Sequence, residues 1–222
     1  MPYRQVKSIN VAPWLRPWLH LLRRRRFVEI ATFILFILLA ATYSASAGSL
    51  HDAASDGDVK AVRHLLSQGA DVNSRDDNRE TPLIKAALSG QVLAAALIID
   101  AKADIEASND RGFTALHAAA YSGSLAVATL LLDHGAAVDA LSIHKITPLH
   151  VAAEENQLAV VELLIARGAK IEAIQAYGYT PLSRATFMRS AEVMVVLKEH
   201  GAQCQPKEIM GSAYKACAAA GN

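Results

Sequence analysis

Threonine recurs at Thr81, Thr114, Thr147 and Thr180, a spacing of 33 residues that never slips. A fixed period of this length marks one supersecondary unit stacked on copies of itself. The threonines open Thr81-Pro82-Leu83-Ile84, Thr114-Ala115-Leu116-His117, Thr147-Pro148-Leu149-His150 and Thr180-Pro181-Leu182-Ser183, and one step back gives Gly48-Ser49-Leu50-His51. Each unit continues with a small pair, Ala53-Ala54, Ala86-Ala87, Ala119-Ala120, Ala152-Ala153 and Ala185-Thr186. Each then approaches its end at Leu65-Leu66, Ile98-Ile99, Leu131-Leu132, Leu164-Ile165 or Leu197, with Gly69, Gly135, Gly168 and Gly201 at a fixed offset. Thr suits a helix N-cap, Pro the first helical position, and Gly a left-handed helix end. Two helices per unit follow, with the small pair allowing close approach and the leucines filling the space between layers. One unit cannot bury its apolar face alone, so the chain folds as a quasi-one-dimensional stack.

The Thr-Pro-Leu-His opening, the Ala-Ala pair and the Leu-Leu-x-x-Gly-Ala close resemble the ankyrin repeat family over about residues 48–204. The resemblance implies an all-α solenoid of five helix-turn-helix repeats joined by β-hairpin-like loops, and a role in protein binding. Its repeats are expected at 48–80, 81–113, 114–146, 147–179 and 180–204, with 205–222 as a C-terminal cap over the last one. Several positions depart from the pattern. Lys102 replaces the Gly after the second helix, and Arg79 and Lys145 replace the turn Gly seen as Gly112 and Gly178. Asn156 and Arg189 follow Gly57, Gly90 and Gly123 between the helices. The turns at Arg79, Lys102 and Lys145 are expected to be strained or differently shaped, whereas Asn156 tolerates a left-handed conformation and Arg189 tolerates it less.

Residues 1–47 differ in kind. They hold seven of the 22 basic residues and one of the 21 acids, leaving 15 basic against 20 acidic residues from Gly48 onward. That balance excludes a phosphate-backbone binder, and nucleic acid with it. Arg23 to Arg26 precede Phe27, Val28 and Glu29, and then twelve uncharged residues from Ile30 to Ala41. A secretory apolar region needs about 7–15 residues and a membrane span about 20. Ala45 and Ala47 form the A-x-A that suits cleavage after Ala47. The segment therefore reads as a signal peptide behind an N-terminal extension, placing the repeats in a bacterial periplasm or the medium. The alternative is an uncleaved single-pass anchor, since Ile30 to Leu50 carries no charge. Under both readings the arginines hold their flank in the cytoplasm and the repeats lie outside it.

Catalytic chemistry finds little support. His51, His117 and His150 share the fourth position of the opening, where family resemblance assigns them to backbone bonding near the turn, and His134 and His200 precede helix-ending glycines. His64 and His144 lack metal-ligand spacing, so no metal and no cofactor are expected. Glu154 and Glu155 are adjacent on a helix and point about 100° apart, which suits a solvated face rather than an acid/base pair. No phosphate loop, nucleophile elbow or dinucleotide fingerprint is present. Cys204 and Cys217 are the only cysteines; they form either a disulfide pinning the cap or two separate buried thiols, and spacing does not decide.

The candidate partner-binding residues sit before each Thr and near the end of each first helix, where packing between layers leaves the residue type free. They are Arg79, Arg111, Phe113, Tyr121, Ile143, His144 and Lys145, followed by Glu154, Glu155, Tyr177, Tyr179, Phe187 and Met188. Charge gives way to aromatic and aliphatic groups along this series, as at a binding hot spot centred on repeats three to five; the alternative is that Phe113, Tyr177 and Tyr179 only pack on neighbouring loops. The expected protein is a monomeric, non-catalytic module that binds a partner protein through its concave face, touching a membrane only if its N-terminal segment is uncleaved. The alternative is a membrane-anchored accessory or inhibitor of an envelope enzyme. Expressed in a Gram-negative host, the chain should appear in the periplasmic fraction with an intact mass that begins at Gly48. A full-length mass in the membrane pellet would identify the anchor instead.

Overall fold

A computed structural model describes residues 49–220. The N-terminal extension, the apolar stretch and the cleavage position after Ala47 lie outside the described residues.

Five helix pairs follow one another at the expected period: α1 (Leu50–Asp56) with α2 (Val59–Ser67), α3 (Pro82–Leu88) with α4 (Val92–Asp100), α5 (Ala115–Ser122) with α6 (Leu125–Asp133), α7 (Pro148–Glu154) with α8 (Leu158–Ala166), and α9 (Pro181–Met188) with α10 (Ala191–Glu199). Each first helix packs on the first helices of its neighbours, and each second helix on the second helices. The threonines cap as their chemistry requires: Thr81, Thr147 and Thr180 accept the backbone N–H three residues on. The first repeat departs by one residue. Ser49, not the position of Gly48, is its N-cap, and Asp52 returns the bond to the Ser49 N–H at 3.1 Å. Glycine has no side-chain acceptor, so the cap moved to the next residue that does.

The core repeats with the sequence. Leu50, Leu83, Leu116, Leu149 and Leu182 are buried, as are all five small pairs and the row Leu131, Leu164 and Leu197 with Ile98. Removing one of these leucines to Ala costs about 2–5 kcal/mol in a packed core. Between layers, side chains bond backbone in the next repeat. Asn73 Oδ1 accepts from the Asp104 N–H at 2.8 Å, Glu106 from Ala137 at 2.9 Å, Asp139 from Lys170 at 3.0 Å and Glu172 from Gln203 at 2.7 Å, each bond spanning 31 residues.

The loops are tight turns with one isolated bridge, Ser108 to Thr114, rather than full hairpins. All four share one geometry, closed by N–H to carbonyl bonds from Asp76 to Glu80, Asn109 to Phe113, Ser142 to Ile146 and Gln175 to Tyr179. The departures predicted to change turn shape do not. Arg79, Lys102, Lys145, Asn156 and Arg189 all hold positive φ, from 56° to 67°, in the left-handed region of the glycines they replace. The shape is kept and the strain remains, about 1–2 kcal/mol for each side chain so placed.

Cys204 and Cys217 are joined in a disulfide with their Cα atoms 5.9 Å apart, so the two-thiol alternative does not hold. Beyond the last repeat lie α11 (Lys207–Met210), a 3-10 turn (Gly211–Ala213) and α12 (Tyr214–Ala219), which rests on α9. Tyr214 falls 33 residues after Pro181, so α12 stands where the first helix of a sixth unit would, yet it buries Cys217 rather than Ala218 and Ala219. Lys198 Nζ donates to the carbonyls of Cys217 and Ala220. Gln205 closes the end of the stack: its Oε1 accepts from the Ser183 hydroxyl and the Thr180 N–H, and its Nε2 donates to the Gly178 carbonyl at 2.7 Å. Among the described residues no helix is long and apolar enough to cross a membrane.

One loop position is imperfect. Asp76, Asn109 and Ser142 each use a side-chain oxygen to accept the N–H groups two and four residues on. Gln175 holds the same position, is 3% exposed, and leaves its Nε2 without a partner. Its extra methylene carries the amide past the turn. Gln175→Asn should restore both bonds and raise stability by about 1 kcal/mol in a denaturant melt; an unchanged or lower midpoint would refute this account of the loop.

Candidate binding surface

Two positions in the repeat frame build the exposed face. The residue before each Thr is Glu80, Phe113, Ile146 or Tyr179, and the residue near the end of each first helix is Leu88, Tyr121, Glu154 or Phe187. The fourth residue of each opening lies beneath them. There the imidazoles of His51, His117 and His150 reach into the following loop. His51 Nε2 lies 3.0 Å from the carbonyls of both Ser74 and Glu80; His117 donates to Ile146 O at 2.9 Å and His150 to Tyr179 O at 3.0 Å. Because the Thr114 and Thr147 N–H groups point at Nδ1 of His117 and His150, at 3.2 and 3.3 Å, the proton of each neutral ring sits on Nε2. Burial lowers His117 to about 4 and lowers His150 as well. His117 and His150 are neutral fasteners between repeats, and all three imidazoles bond loop carbonyls as the resemblance implied. Among the described residues no group of three or more His, Cys, Asp or Glu side chains is placed to hold a metal.

A cleft of about 290 Å³ opens on this face between repeats two and four. Leu88, Phe113, Tyr121, Ile146 and Val151 give it an apolar wall, and Glu80, Asn109, Arg111, Glu154 and Glu155 its polar parts. Five predicted residues are therefore brought together: Arg111, Phe113, Tyr121, Glu154 and Glu155. The others stand apart. Ile143 and Tyr177, each 64% exposed, project from loop tips with Lys145, and His144 tilts against Tyr177 at 5.4 Å between ring centres. Tyr179 is half-buried and meets Phe187 edge-on at 5.1 Å, with Met188 exposed beside Phe187 in the chain. Arg79 pairs with Asp110 at 3.3 Å across two exposed side chains, a pair of little energetic weight.

Two expectations need correction. The enclosed part of the surface lies one repeat nearer the N-terminus than the aromatic trend implied. Glu154 is not a freely solvated carboxylate: it is half-buried and held two-armed by the Arg184 guanidinium, whose Nε lies 3.0 Å from Oε2. Only Glu155 is fully exposed, so the two acids do not act together. Phe113 packs on the core and lies 5.1 Å from the His117 ring, so it serves packing as well as the cleft. Sequence reasoning missed Leu88, although a step of 33 residues back from Tyr121 reaches it. It also missed Lys85, which bonds Glu80 at 2.7 Å and Asp76 at 3.0 Å and whose ordinary value is raised by the Glu80 carboxylate.

A family model described as ankyrin repeats (3 copies) matches residues 50–142 and 138–208. Comparison with curated proteins gave no match.

The buried imidazoles predict how stability follows pH. Their folded values lie below the unfolded value of about 6.5, so folding favours the neutral form. Their contribution is complete above pH 6.5 and is lost as pH falls toward 4. For His117 alone the loss should be about 2 kcal/mol between pH 7.5 and 5, read from urea midpoints. His117→Gln, which cannot charge, should flatten that interval; an equally steep curve in the variant would exclude this residue as the cause.

Proposed function

The chain belongs to the ankyrin repeat family, and on that premise we propose that it is a non-catalytic module that holds a partner protein on the face made by its loops and first-helix ends. Ankyrin repeats generally serve protein–protein interaction. The observation that carries the reading here is the cleft, where Tyr121 and Leu88, 54% and 39% exposed, stand over an otherwise apolar wall. A single-chain protein gains nothing in stability from an exposed aromatic and aliphatic cluster of this kind, and such clusters mark protein contacts. Three titratable groups of the cleft are engaged in structural work: His117 in a buried neutral bond, Glu80 with Lys85, Glu154 with Arg184. None is left as an acid/base pair.

The N-terminal arginines, apolar run and A-x-A support the reading that this module lies outside the cytoplasm, periplasmic or secreted after cleavage behind Ala47. A second reading, a tethered accessory or inhibitor of an envelope enzyme, is favoured by the uncharged stretch from Ile30 to Leu50. Partner capture from envelope extract tests the surface. Leu88→Asp with Tyr121→Ala should lower capture at least tenfold while the helical melt stays cooperative, and Tyr177→Ala with Phe187→Ala should matter less. Capture undiminished by the first pair would remove this face from consideration, and turnover of ester, peptide or glycan substrates by the purified chain would sink the non-catalytic reading.

A further inference from the structure

We propose that the cleft takes a cationic segment of the partner, with one aliphatic or aromatic side chain in the pocket and Lys or Arg on either side of it. This rests on the protein-binding reading above and adds the chemistry of the partner.

Size comes first. About 290 Å³ is at the lower edge of small-ligand pockets, which run to roughly 300–1,000 Å³, and it is open along the face. It holds an anchoring side chain or two rather than a whole helix. The wall that would touch the anchor is apolar: Leu88, Phe113, Tyr121, Ile146 and Val151.

Charge gives the flanks. Three carboxylates line the cleft, Glu80, Glu154 and Glu155, against the one guanidinium of Arg111. The cations that balance Glu80 and Glu154 are Lys85 and Arg184. Neither cation is among the lining residues, whereas both glutamates are. Glu155 is exposed and makes no ion pair among the described residues. His117 contributes no positive charge, being buried and neutral. The same sign holds at long range. From Gly48 onward acids outnumber basic residues 20 to 15, a field that draws in cations and turns anions away. An acidic segment would meet Glu155, which no ion pair balances, beside two glutamates whose charge is already matched, with Arg111 as the one cation lining the cleft. The chain's own basic run, Arg23 to Arg26, is set aside as an occupant because export would leave it across the membrane from the cleft.

The test is selection of a random peptide display library on the immobilised full chain. Enriched peptides should carry Phe, Leu or Trp flanked by Lys or Arg. Their binding should weaken about tenfold between 0.1 and 1 M salt. Glu155→Lys should weaken it about fivefold and Tyr121→Ala about tenfold, with both variants keeping the parent melt. Acidic or uncharged peptides that are lost in Tyr121→Ala would overturn the charge assignment and leave the surface in place. Peptides indifferent to Tyr121→Ala and Glu155→Lys would overturn the surface as well. No enrichment at all would overturn the inference, because a pocket for one anchored segment must bind that segment by itself.

Discussion

The structure depends on side chains that bond backbone about thirty residues away. Asn73, Glu106, Asp139 and Glu172 reach forward on one side of the stack, and His51, His117 and His150 on the other. Each bond exists only if the next repeat arrives in register, since a shift of one residue along the loop presents the wrong group. A typical bond of this kind contributes about 1 kcal/mol net, but a buried carbonyl or imidazole left without it costs about 1–3 kcal/mol. That asymmetry is why the 33-residue period does not drift. The junction after Ile84 lacks the imidazole, and there Glu80 bonds Lys85 and accepts from Asn109 at 3.4 Å. Stability is thus spread over junctions that differ in chemistry and share geometry.

What the sequence disclosed follows from the same fact. Core positions repeat because each performs one packing task, so Leu83, Leu116 and Leu149, or Ala86-Ala87 and Ala119-Ala120, are legible as a frame. The histidines were legible for the same reason. The forward-reaching row was not, because Asn, Glu, Asp and Glu on loops look like solvated polar residues although they too keep the period. The pairing of Glu154 was hidden because its partner position reads Lys85, Ala118, Val151 and Arg184 in successive repeats, with no common type. Leu88 has no aromatic or charged group to mark it as part of an exposed face, and without it the cleft could not be located.

The left-handed turns show how strongly the frame acts on the backbone. Arg79, Lys145 and Arg189 are poor residues for positive φ, and the loops keep the conformation regardless, because the cross-loop bonds and the next repeat fix both ends. Glycine is retained where a neighbour demands it. A Cβ on Gly112 would stand 2.8 Å from the Ile143 backbone nitrogen, and the Ile143 N–H bonds the Arg111 carbonyl at 3.0 Å, so these two loops touch too closely for a side chain. At Gly178 the same position faces open space. Close approach of the next loop thus accounts for Gly112 and not for Gly178.

A rigid frame also defines where information about a partner can reside. The positions before each Thr carry Glu80, Phe113, Ile146 and Tyr179, and the first-helix ends carry Leu88, Tyr121, Glu154 and Phe187. No two neighbours are alike, whereas the core leucines and small pairs barely change. Packing fixes the buried position in every repeat and constrains the outer one only in part, Phe113 and Ile146 still touching the core, so residue type there is freer. Glu154 marks the boundary: its carboxylate is tied to Arg184 of the next repeat while the residue lines the cleft, so the scaffold fixes its orientation. A surface made of such residues enters binding with its side chains already ordered, which lowers the entropic cost of association. The stack therefore does more than display side chains at regular intervals, because the bonds that hold one repeat to the next also hold the binding groups in place.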